Sequence, residues 1–250
     1  MSDQIQALDF SSQAGAGLDN VSNEDIQIPY LQIIQTNSPE VDKANQDHAI
    51  KGIADASSGD IFNTQTREIL SPFGQALTVI PIHYEKAYVE WRPREDGGGI
   101  VNVHKSSGIL NETERNEKNK DILPNGNIVE TTAYHMVLYK TATNEWQKAI
   151  ISMQSTQLKK SRQWLSKATS IRLTGENGSY TPPIFSHTYL LSAVTESNKH
   201  GSWFGWKVEI EGPITEAEDY KIAVDSSEAY TQQLVSSDQP KALDNKSEPF

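Results

Sequence analysis

Five stretches of the chain carry the β-branched and aromatic residues, with alternating polarity, that predict strands, and one carries a helical stripe. The strongest is Ala76 to Trp91, where Leu77, Val79, Ile80, Ile82, Tyr84, Tyr88, Val89 and Trp91 are all β-formers. Pro81 in its middle has no N–H for a ladder, which predicts a bulge, a bend or an edge there. Thr131 to Lys140 and Trp146 to Met153 predict two strands joined by the hairpin-length Thr141 to Glu145. A helix is expected from a Ser155 or Thr156 cap to about Ser170, with Leu158, Leu165 and Ala168 on one face and Lys160, Trp164 and Lys167 on another. Ile184 to Val194 and Trp203 to Ile210 predict the last two strands.

Strand, long loop, strand, hairpin, strand, helix, strand, strand is the order of an OB-fold. The expected fold is therefore mainly β: an OB-fold-like five-stranded barrel with one helix between its third and fourth strands. Its long first loop is the polar stretch Arg92 to Val129. Ahead of the barrel, Ile26 to Ile34 is an ordered candidate ended by Ser38-Pro39, and residues 43–63 wrap the surface. Residues 1–24 read as a flexible acidic arm, 25–214 as one domain and 215–250 as a flexible acidic tail.

Composition narrows the chemistry. The chain has no cysteine, hence no disulfide or thiolate, and no apolar run near the ~18 residues a membrane span needs. Met1-Ser2-Asp3-Gln4 lacks the basic start of a signal peptide, which points to a cytoplasmic location. The net charge of −11 is unevenly spread. Residues 1–60 hold ten acids against two bases, and 216–250 hold eight against three. Trp146 to Gly175, by contrast, carries Lys148, Lys159, Lys160, Arg162, Lys167 and Arg172 with no acid, a footprint suited to phosphate.

Single-strand binding needs rings on which bases stack and cations that follow the backbone. On the barrel model Met136 and Leu138 face the core, which turns His135 and Tyr139 outward. The third strand offers Trp146 and Lys148, and the last offers Trp203 and Lys207. Trp91, Arg92 and Arg94 lie where the first strand enters the long loop, and the helix adds Lys159, Lys160, Arg162, Trp164 and Lys167. Each has a plain structural alternative: a strand Trp is more often core, Tyr139 and Trp146 make a cross-strand pair, and Trp164 covers a barrel end. The six histidines form no H-x-H or H-E-x-x-H pattern, and Gly97 to Gly99 lack the residues of a phosphate loop. Neither catalysis, a metal nor a cofactor is expected.

The chain ends Glu248-Pro249-Phe250, a terminal ring on an acidic segment suited to a partner's pocket. Together with IPYLQIIQTNSPE (Ile28 to Glu40) and ISMQSTQLKKSRQW (Ile151 to Trp164), this resembles phage-encoded single-stranded DNA-binding proteins. The resemblance implies an OB-fold that coats single-stranded DNA during replication or recombination in the host cytoplasm. It further implies a tail that docks polymerase or primase-helicase through Phe250, and it favours Lys159, Lys160 and Arg162 as DNA contacts. The alternative is a protein-binding or virion-associated β-barrel module.

Overall fold

The computed structural model describes residues 16–17, 29–41, 52–199 and 201–236, with side chains to residue 231. Most of the N-terminal arm lies outside the described residues, as do Glu248, Pro249 and Phe250. The fold is mainly β, a strongly curled half-barrel sheet with a few helices.

Two long strands form its spine, β4 (Leu77–Trp91) and β8 (Ile128–Lys140), antiparallel from Val79 opposite Tyr139 to Trp91 opposite Ile128. Beside β8 lies β9 (Trp146–Gln154), and beside β4 lies β12 (His187–Asn198), which pairs in turn with β13 (Gly201–Pro213). The main strands thus run β9, β8, β4, β12, β13 across the sheet. Helix α1 (Leu158–Ser170) stands between the third and fourth of them in sequence, as expected. The register shifts between Pro81 and His83, so the proline does make a bulge. The expected long loop, Arg92 to Val129, is partly sheet. There β5 (Ile100–His104) extends β4, while β6 (Glu114–Arg115) and β7 (Asp121–Ile122) extend β8.

A half-barrel leaves two unpaired edges, here on β9 and β13, and the N-terminal segment stands between them. It forms a small sheet of its own from β1 (Leu31–Ile33), β2 (Ile61–Asn63) and β3 (Ile69–Ser71). Tyr30 bridges in parallel to Ile150, whose N–H donates to the Pro29 carbonyl at 2.9 Å. Toward β13, among the described residues, no strand pairs; a side-chain amide takes the place of one. Gln35 Nε2 donates to the Phe204 carbonyl, and the Phe204 N–H donates to Gln35 Oε1, both at 2.9 Å. Gln157, in the single turn before α1, continues the pattern by accepting from the Trp206 N–H at 2.9 Å. The stretches Ile28 to Glu40 and Ile151 to Trp164 therefore both supply closure of the half-barrel. A buried ladder group left unpaired costs about 1–3 kcal/mol, which gives both glutamines a structural role.

Both faces of the spine are buried, and this corrects the alternation read from the sequence. On the concave face Val79, Val137, Tyr139, Ile151, Tyr189 and Trp206 join Trp164 of α1 in one core. On the convex face Ile80, Ile82, Met136, Leu138 and Ile150 pack with Ala223. Ala223 belongs to α2 (Ala217–Ser236), a helix lying in the stretch expected to be a flexible tail. Its apolar and small positions, Ile222, Ala223, Ser226 and Tyr230, recur at helical spacing inside an acidic sequence. Ser227 Oγ donates to the Ile82 carbonyl at 3.0 Å, next to the Pro81 bulge. The outer face of β4, β8 and β9 is thereby a helix-docking surface.

Candidate nucleic-acid interface

Four of the expected base platforms are interior. His135, Tyr139, Trp164 and Trp91 are all buried, Trp164 to 1% exposure. The reason is the two-sided burial of β8: turning His135 and Tyr139 away from Met136 and Leu138 sends them into the second core, not into water. Tyr139 donates its hydroxyl to Gln147 Oε1 at 2.6 Å and accepts from Asn63 Nδ2 at 3.0 Å. The helix faces also differ from expectation, because α1 turns Ser161, Trp164 and Ala168 inward. The Trp164 indole stacks on the His135 imidazole at 4.4 Å between centroids and 10° between planes. Ser161 Oγ lies 2.8 Å from His135 Nε2. With no charge to compensate its burial, His135 has its pKa lowered from 6.5 to about 3.

Once its buried stripe is set, the outer face of α1 follows. Lys159 and Arg162 are exposed there, and the helix contains no acid. Lys160 leans instead toward the end of β12, where Nζ meets Glu196 Oε1 at 2.7 Å. The other oxygen of that carboxylate accepts from Gln157 Nε2 at 2.9 Å and from Trp203 Nε1 at 3.0 Å. Burial pushes the Glu196 carboxyl up, but the bonds from Lys160, Gln157 and Trp203 and the Lys160 charge outweigh it and hold the pKa below its usual value. One carboxylate thus joins two residues singled out separately in the sequence, Lys160 of α1 and Trp203 of β13.

Two rings that the sequence did not single out complete the surface. Phe73 is 48% exposed and meets Phe204 edge to face at 5.2 Å. Phe204 adjoins Trp203 on β13 and is the residue Gln35 holds. The rings close over Gly59, whose φ is +95° and where a Cβ would stand 2.5 Å from Phe73 and 2.9 Å from Phe204. Only glycine satisfies both the backbone and the space. Buried Asp60 fixes the adjoining turns by accepting from the Phe73 and Ser57 N–H groups, each at 2.8 Å. The signal for Phe73 was its place in Pro72-Phe73-Gly74, a turn that cannot easily lead a ring into the core.

Trp203 therefore stands beside Lys160 on one face of β13, whereas its strand neighbour Phe204 turns to the other face, against the concave core, with Phe73 over it. A family model described as Pam3 phage gp34-like protein matches residues 2–236. The chain belongs to this family. No curated protein and no solved structure matches it. Membership in the gp34-like family points to a phage protein, and the family's description names neither a ligand nor a reaction.

The remaining candidates are dispersed. Trp146 lies on the convex side, its indole N–H donating to Asp219 of α2 at 2.7 Å and its ring 5.1 Å from Lys140 Nζ. Lys148 is exposed on that same side, opposite Leu138 in register. Lys167 donates to the Val208 carbonyl, and Lys207 pairs with Glu209 at 2.8 Å. Arg92 and Arg94 stand at the other end of β4, where Glu95 and Asp96 follow them. Among the described residues no group of three or more His, Asp or Glu is placed to hold a metal, and no helix is long and apolar enough to cross a membrane.

Proposed function

We propose that this protein binds single-stranded DNA without sequence specificity, at the end of the half-barrel where α1 meets β12 and β13. Trp203 and the exposed Phe73 stack bases there, and Lys159, Lys160 and Arg162 receive the phosphates. The observation that carries this reading is the Trp203–Glu196–Lys160 contact, which sets a half-buried ring beside an acid-free cationic helix face, the two components a single-strand site combines. The phage family and the OB-like strand order support it. In this proposal the protein coats DNA in phage replication or recombination without catalysing a reaction. Glu248, Pro249 and Phe250 recruit a polymerase or primase-helicase.

A second reading has one observation in its favour. The ribbon of β10 (Leu173–Gly175) and β11 (Gly178–Tyr180) is exposed along its whole length, with Leu173 directly opposite Tyr180. An apolar pair of this kind suits a protein partner.

Charge reversal separates the two. In Lys159→Glu with Arg162→Glu, the dependence of log affinity on log salt is expected to flatten by roughly 1.4, from about 0.7 per phosphate contact on a single strand. Binding at low salt is expected to fall roughly tenfold or more in the same variant. Unchanged affinity for a labelled strand at low salt, in a variant with native circular dichroism, removes α1 from the interface.

A further inference from the structure

We propose that the Glu196 carboxylate occupies, in the free protein, the position a backbone phosphate takes when a strand binds, so that Glu196 acts as a built-in competitor. This rests on the single-strand reading above. Three donors on separate side chains converge on this one group: Lys160 Nζ at 2.7 Å, Gln157 Nε2 at 2.9 Å and Trp203 Nε1 at 3.0 Å. A cation, an amide and an indole N–H arranged around two anionic oxygens form a receptor that suits a phosphate as well as a carboxylate.

The backbone beneath is cut away to admit the acid. A Cβ at Gly205 would run into the ends of the Glu196 and Gln157 side chains. The contact is also accessible, since the Lys160 and Glu196 side chains keep 26% and 21% of their exposure. An ion pair still in touch with water contributes little to stability, so its exchange for a phosphate is cheap. Lys160 and Trp203 belong to both sides of the exchange, one a cation of α1 and the other a ring of β13. Binding and release of a strand are therefore tuned at the point where the two halves of the site meet.

The test is strand affinity of Glu196→Gln at 50 mM salt, with Glu209→Gln as control. The control removes the same charge from an acid paired with Lys207. Glu196→Gln is expected to bind about two- to fivefold more tightly, the scale of one partly exposed ion pair, and Glu209→Gln to bind as the wild type does. The gain should vanish when Lys160→Ala is added. If Glu196→Gln does not fold, Glu196→Asp withdraws the charge by one methylene and should give the same gain in smaller measure. Equal gains from Glu196→Gln and Glu209→Gln mean a general charge effect, and an unchanged or weaker Glu196→Gln means a structural pair; either overturns the inference while strand binding stands. Absence of strand binding by the wild type overturns the reading on which it rests.

Discussion

Replacing Trp164 by alanine is expected to destabilise the protein by about 3–5 kcal/mol, as for other large aromatic side chains emptied from a core. Against the roughly 5–15 kcal/mol that holds a domain folded, this is a large share. Trp164 stacks on His135 and tilts against Tyr189 at 5.7 Å, so its ring joins α1 to β8 and β12 at once. Urea unfolding followed by far-ultraviolet circular dichroism measures the loss. Trp164→Phe, which keeps a ring in the stack, should lose much less. A base platform on the surface would behave in the opposite way, with Trp164→Ala keeping its unfolding midpoint and losing only DNA. That outcome would show Trp164 to be outside the core.

Acidification is expected to weaken the fold through His135. Its pKa is about 3 in the folded protein against an ordinary 6.5, so the unfolded chain takes up a proton at a pH where the native state does not. The stabilisation is complete above pH ~6.5 and is lost at about 1.4 kcal/mol per unit as the pH falls toward ~3. Between pH 7.5 and 5 this amounts to roughly 2 kcal/mol. Other groups titrate in the same range, His83 and His187 among them, both lowered by burial. The comparison that isolates His135 is with His135→Phe, which keeps an aromatic partner for Trp164 and cannot take the proton. Its urea midpoint should fall less between the two pH values; an equal fall in both proteins would mean that His135 titrates normally.

The two kinds of expectation differed in how far they depended on neighbours in sequence. Strand positions, the hairpin, the helix and the Pro81 bulge were legible because each follows from local chemistry: β-branched runs, a turn-length gap, a residue without an N–H. Which face is wet is not local. The alternation in β8 is genuine, yet both of its faces are covered, one by α1 and the other by α2. Nothing near His135 or Tyr139 announces that α1 closes over their face, and nothing near Met136 or Leu138 announces a helix folding back from residue 217. The same limit explains Lys160 and Trp203, marked in the sequence as separate cation and ring and joined only by Glu196, a β12 residue. Gln35 and Gln157 lay inside the stretches that carried the resemblance. Their use as ladder surrogates for β13 is visible only once the half-barrel has an open edge.

The most direct test of single-strand binding is the fluorescence anisotropy of a labelled strand of ~30 nucleotides titrated with the wild-type protein at 50 and 200 mM salt, with unlabelled duplex as competitor. The account predicts saturable binding that weakens steeply between the two salt concentrations and that duplex competes away only poorly. No binding at 50 mM salt, or binding that ignores salt, would contradict it and leave the exposed rings to a protein partner.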